Sequence, residues 1–191
     1  MQELSRIYWT RMGLRLAYSA VMLWLAFSVM TALMPKAAPV AGPAPTTPAE
    51  VLRGLVDGVV AVAVLPGLVI VVLGIVAAVV TAGDVRRRDP VRRFTRQQRR
   101  EGMSRAGGLC ELESGFGRRC ARPAEHGDHF YPWSKGGSTS LQNFVAACAR
   151  CNRSKRAGIP SPAQQRRLER RRRDYLPSSS SVSVGERQPL P

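Results

Sequence analysis

Two long apolar runs dominate the first half of the chain, and nothing like them recurs afterwards. Residues 13–34 carry a single charge, Arg15, and residues 55–82 carry only Asp57 near their start. A helix needs about 20 apolar residues to cross roughly 30 Å of hydrocarbon, and each run is long enough. Pro66 lies inside the second run, where it would kink a soluble helix but is tolerated in a bilayer. A soluble hairpin of core helices would need a large partner layer, which the polar remainder of the chain does not contain. Transmembrane helices are therefore predicted over 13–34 and 55–82. They follow an N-terminal segment, 1–12, and flank a Pro/Ala-rich loop, 35–54.

After residue 82 the apolar positions come in short pieces. A basic linker, helical or frayed, is expected over 83–105. Phe130 and Tyr131 lead into Pro132 and the turn Ser134-Lys135-Gly136-Gly137, the pattern of a strand entering a Gly-marked loop. Residues 143–147 read as a second short strand, and about 149–157 as a helix. Residues 161–176 predict a basic helix, with Ser161 as N-cap and Pro162 at the first position. The Ser/Pro-rich stretch 177–191 is expected to be disordered. Between these flanks, 106–160 is a small domain with too few aliphatic residues for a large core, so it needs a staple.

Charge sharpens the picture. Of 29 basic residues, 23 fall between 83 and 175, against 9 of the 13 acidic ones. Such a surface suits a polyanion, either nucleic acid or anionic lipid headgroups. Part of it is compositional, since 26 of the 29 are Arg, as GC-rich coding would produce. Arg6, Arg11 and Arg15 precede or enter the first run, eight arginines lie between Arg86 and Arg100, and the connecting stretch 34–50 has one Lys and one Glu. Positive flanks around a nearly neutral loop place both termini in the cytoplasm. The expectation is a multi-pass protein of a bacterial plasma (inner) membrane. If the first run were a cleaved signal peptide, the arginines after Thr81 would still hold the rest inside.

All four cysteines lie between Cys110 and Cys151. They could form two disulfides in an exported domain or one tetrahedral zinc site in a reducing compartment. Cytoplasmic placement favours zinc. Cys148-x-x-Cys151 can reach one ion, and Cys110 with Cys120 supplies a second pair, although nine residues separate them. Four protein ligands leave no open position for water, so such a site is structural and can be the main folding energy of a small domain.

The text around these cysteines carries further chemistry. Asp128-His129-x-x-Pro132, then Ser134-Lys135-Gly136-Gly137, Asn143, and finally C-x-x-C-N-x-x-K from Cys148 to Lys155 resembles the HNH endonuclease family, in its zinc-bearing branch. The resemblance covers roughly a quarter of the chain and leaves the apolar runs and basic flanks outside it. It implies an α+β fold, a ββα-metal finger with a four-cysteine zinc site, here preceded by an all-α two-helix transmembrane hairpin. It also implies a divalent cation, Mg²⁺ or Mn²⁺, held by Asp128 and Asn152, with His129 as the general base that activates water. Asn143 matches the middle Asn, which holds the loop and orients the base. Asn152 stands where many members have a final His and others an Asn. Lys155, Lys135 and Arg153 are placed to meet phosphates.

Elementary chemistry agrees with those assignments. An imidazole with a pKa near 6.5 accepts protons at neutral pH, and carboxylate and amide oxygens suit a hard cation. The long gap between Cys110 and Cys120 departs from the family pattern, as does the missing final His. His126 reads as a bystander and Glu125 as a loop residue or weak second-layer partner. The expectation is a membrane-anchored endonuclease acting on DNA, double-stranded by preference, with the lipid bilayer as its other partner and no small-molecule cofactor. The alternative is a non-catalytic zinc module that binds nucleic acid at the membrane, and a structural membrane protein whose basic face meets headgroups comes third.

Overall fold

The apolar runs become two uninterrupted helices in the computed structural model, which describes residues 2–34, 47–115, 117–178 and 180–190. Most of the expected loop 35–54 lies outside the described residues. The chain forms two units, Thr10–Val79 and a second that joins Met1–Trp9 to Val80–Pro191. Helix α1 covers Gln2–Leu33 and α2 covers Pro48–Arg86. Thr47 and Glu50 cap the start of α2 reciprocally, each side chain accepting the other's backbone N–H. The helix then runs through Pro66.

Within these helices the stretches apolar enough to cross a membrane are Glu3–Thr31 and Ala63–Arg86, 29 and 24 residues long. At 1.5 Å per residue they measure about 43 and 36 Å, more than the roughly 30 Å of a hydrocarbon core. Leu23, Phe27, Leu68 and Val79 are among the large apolar side chains left exposed along them. The helices outrun the apolar segments 13–34 and 55–82 at both ends except the first one's C-terminus. Backbone hydrogen bonding does not stop where hydrophobicity does, and residues 2–12, which mix Leu4, Ile7, Tyr8, Trp9 and Met12 with polar positions, are helix-compatible.

In the second unit, residues 87–95 leave α2 in a non-helical path and α3 follows at Arg96–Arg105. Thr95 and Gln98 form its capping box, so the linker is ordered by a local signal written in the sequence. Strands β1 (His126–His129) and β2 (Phe144–Ala147) pair antiparallel, with His126 opposite Ala147 and His129 opposite Phe144. A single 3₁₀ turn, Trp133–Lys135, sits in the loop between them. Helices α4 (Ala149–Lys155) and α5 (Pro162–Tyr175) complete the unit.

All four β2 residues are buried because both faces of the strand are covered. Phe144 and Ala146 pack with Phe94 and Ala106 beside α3, while Val145 packs with Phe130, Leu168 of α5 and Val184. The Phe144 ring lies so close to Gly102 and Gly127 that a Cβ on either would fall 2.3 or 2.2 Å from a ring carbon. Glycine is needed there for the approach itself.

Two findings depart from the expectations. Residues 180–190 do not hang free: Val184 is fully buried, its backbone engages Gln165 and Glu169, and Gln188 N–H donates to Gly136 O. Local polarity suggested disorder, but one apolar residue and backbone pairing along residues 136–138 supply the tertiary anchor. Helix α5 is likewise no mere basic flank. Arg172 and Glu111, 1% and 2% exposed, form a buried pair at 2.9 Å. The Glu111 carboxylate also accepts from Tyr175 Oη (2.6 Å) and Ala146 N–H (3.0 Å), and Arg172 donates to Phe144 O (2.8 Å).

Candidate active site

The four cysteine sulfurs come together at one point. Cys110, Cys120, Cys148 and Cys151 are all buried free thiols, and their sulfurs lie within 4.8 Å of one another. Zinc–sulfur bonds of about 2.3 Å in a tetrahedron place sulfurs roughly 3.8 Å apart. Cys120 Sγ and Cys148 Sγ are separated by 3.9 Å. The donor set and its size therefore fit zinc, and these residues could hold it.

The unusual gap in the first pair has a simple structural solution. Cys110 N–H donates to Arg122 O and Cys120 N–H to Leu112 O, both at 2.9 Å, and Glu113 bridges Arg119. The intervening residues fold back antiparallel, so nine residues of separation collapse to a short sulfur-to-sulfur distance. The second pair is placed by α4, whose N-cap is Cys148. Burial opposes ionisation of Cys148, yet hydrogen bonds from the Cys151 N–H and from the other three thiols outweigh it and bring its pKa down to about 7. Burial pushes the Cys151 and Cys110 thiols up. One thiolate is thus favoured in a cluster ready to lose further protons to a metal.

Asp128 and His129 stand at the loop end of β1. The His129 ring is tilted at 31° over Phe94 with centroids 4.4 Å apart, and its Nε2 lies 3.1 Å from Thr139 Oγ1. His129 is 9% exposed. Burial disfavours the imidazolium and Lys155 and Arg92 add like charge, against the opposing pull of Asp128 and Asp89; its pKa falls to about 4. The ring is neutral at physiological pH, as a proton acceptor must be.

Asn143 is fully buried and satisfied in every direction. Its Oδ1 accepts from Tyr131 N–H (2.8 Å), and its Nδ2 donates to Tyr131 O (3.0 Å) and Ser138 O (2.7 Å). It ties both ends of the loop that follows His129, and its Oδ1 also accepts from the Glu186 N–H (3.4 Å). From the other side, Glu186 accepts from the Ser138 hydroxyl (2.7 Å) and from the Ser140 hydroxyl.

Helix α4 brings Lys155 to Asp128 and His129, and Asn152 stands three residues before it, at same-face spacing. The Asn152 amide makes no hydrogen bond among the described residues, leaving its oxygen available. Lys155, expected to reach phosphates, turns inward instead. Its Nζ lies 2.8 Å from an Asp128 carboxylate oxygen and donates to His129 O at 2.7 Å. A desolvated ammonium takes the nearest carboxylate when both are largely buried. Asp128 and Asn152 are hard oxygen donors of the kind Mg²⁺ selects. Lys135 ends the 3₁₀ turn, and Arg153 is exposed on α4. His126 is exposed and makes no site contact, and Glu125 accepts from Ala149 N–H (3.4 Å) at the start of α4.

Several participants escaped the sequence reading: Asp89, Phe94, Thr139 and Glu186. Only Thr139 sat inside the motif region, and none carries a local signature.

A two-stranded hairpin with a His/Asp pair at its loop end, a following helix and a buried four-thiol cluster define a ββα-metal type of domain. Residues 117–158 match the HNH endonuclease family, and this segment is an HNH endonuclease domain. The match begins after Cys110 and ends before α5, although both are integral to the unit. No curated protein and no solved structure matches the chain.

Proposed function

We propose that the chain is a membrane-anchored, metal-dependent endonuclease that hydrolyses phosphodiester bonds of double-stranded DNA. In this reading α1 and α2 cross a bacterial inner membrane and the nuclease domain faces the cytoplasm. The observation that carries the proposal is a neutral, held imidazole, His129, next to the carboxylate of Asp128 at the end of β1. His129 takes the proton of the attacking water. Mg²⁺ or Mn²⁺ held by Asp128 and Asn152 would neutralise charge on the scissile phosphate and the leaving oxygen. Asn143 holds the loop and so acts on His129 indirectly. Lys155 is the internal counter-ion of Asp128, while Arg153 and Lys135 reach phosphates on either side. Zinc at the four cysteines is structural.

A second reading, a non-catalytic zinc module that binds nucleic acid at the membrane, draws on a specific observation too: the base is 9% exposed and Asp128 is already paired with Lys155. Cleavage decides between them. The full chain in detergent, saturated with zinc, is given supercoiled plasmid with Mg²⁺ or Mn²⁺. His129→Ala is expected to lose about 10²- to 10⁴-fold in rate while keeping zinc and DNA binding. Asp128→Ala is expected to be partly rescued by more metal. A folded, zinc-loaded wild-type chain that binds plasmid but leaves it uncut from about pH 6 to 9, the window in which a neutral base operates, establishes the second reading instead.

A further inference from the structure

The residues that hold His129 come largely from the segment between α2 and α3. Asp89 accepts from the Val91 N–H (2.8 Å) with one carboxylate oxygen and from the Thr139 N–H (2.8 Å) with the other. Val91 O accepts the Thr139 hydroxyl. Trp133 Nε1 donates to Asp89 O (2.8 Å), and the Arg88 and Arg92 guanidinium groups each lie just over 5 Å from the Trp133 ring centre. Phe94 stacks on the imidazole. The segment is thus bolted to the site loop by hydrogen bonds, cation–π contacts and one ring stack.

A proton count gives this cluster a consequence. A hydroxyl has one proton to donate. Thr139 gives it to Val91 O, so towards His129 its oxygen can only accept. The Nε2 of His129 must then carry the ring proton, and Nδ1 is left with the lone pair.

We infer that Thr139, locked by Asp89 and Val91, is a positioning residue that sets the tautomer and orientation of His129, so that the stretch following α2 completes the active site. The inference rests on the nuclease reading for its catalytic consequence but not for its geometry. The segment that leaves a membrane-capable helix becomes part of the catalytic machinery rather than a tether.

The chain has only two histidines, which makes a direct test practical. Histidine-selective ¹⁵N labelling of the full chain in detergent, at about pH 8 and so above the ordinary imidazole pKa, yields two ring spectra. His126→Gln assigns them and leaves cleavage unchanged. Protonated and lone-pair ring nitrogens resonate far apart, so the tautomer is read without reference to turnover. We expect His129 as a single Nε2–H tautomer. Thr139→Val should mix the tautomers and lower plasmid cleavage by about 10- to 100-fold, as loss of an orienting partner does elsewhere. Thr139→Ser, which restores the hydroxyl, should recover both.

An Nδ1–H tautomer in the wild type overturns the inference, as does a Thr139→Val chain that keeps the wild-type tautomer and rate. A wild-type chain with the expected tautomer and no cleavage upholds the geometry and removes the nuclease reading, so the two failures are distinct.

Discussion

Replacing Arg172 by Met should threaten the whole domain, because the guanidinium joins α5, the cysteine knuckle and β2 at one buried point. Its Nε and Nη2 donate to Glu111 at 2.9 and 3.1 Å, and Nη2 also serves Phe144 O at 2.8 Å. Met keeps much of the volume but leaves the Glu111 carboxylate, 2% exposed, with only Tyr175 and the Ala146 N–H. Removing one partner of a buried pair costs about 3–5 kcal/mol. A small domain has about 5–15 kcal/mol in total, so the loss is about a fifth or more. Replacing Glu111 by Leu as well removes the stranded charge, and the double variant should regain most of the stability.

The assay is urea unfolding of the full chain in micelles at saturating zinc, followed by the reactivity of the four buried thiols. The same pair gives a pH signature. Burial alone would raise the Glu111 pKa, but the Arg172 charge and the hydrogen bonds from Arg172, Tyr175 and Ala146 hold it below the ordinary 4.5. A carboxyl with a depressed folded-state pKa stabilises fully above its unfolded value, and the contribution drains away as pH falls through the folded one. Wild type should therefore lose stability below about pH 4.5 more steeply than the double variant. An Arg172→Met chain that unfolds within about 1 kcal/mol of wild type would refute the reasoning, since no buried charge could then have been stranded.

Cys148→Ser should release zinc, measured as metal per chain, and the cooperative melt with it; a zinc-free variant that still melts cooperatively would show that the metal is not the staple. With the His129 pKa lowered to about 4, the base is already unprotonated at neutral pH, so cleavage should stay flat from pH 8 down to about 5; a rate that halves near 6.5 would mean that the ring is not desolvated in the working enzyme. The same shift makes the folded state the poorer proton binder, so His129→Gln should reduce the stability lost between about pH 6.5 and 4, which acid titration of the urea midpoint measures. Reporter fusions at the C-terminus should place it in the cytoplasm, and an external C-terminus would reopen the disulfide reading of the cysteines.

The chain's own text determined the local things. Apolar run length fixed where membrane-capable helices form, since a helix satisfies its own backbone wherever it lies. Ser161 and Pro162 marked the start of α5, and C-x-x-C-N-x-x-K located α4 with its cysteines, Asn152 and Lys155, because i to i+3 spacing is geometry carried within one turn. Tertiary structure decided everything that depends on distant residues meeting. The nine-residue gap between Cys110 and Cys120 closes only through antiparallel pairing, and Lys155 turns to Asp128 only because packing leaves that carboxylate as its nearest partner. Glu111 meets Arg172 across 61 residues, Asp89 meets Thr139 across 50, and Glu186 meets Ser138 across 48. Each of those residues looks like an ordinary polar position in a basic, polar sequence. Their roles come from burial, which turns a surface charge or hydroxyl into a group that must find its partner.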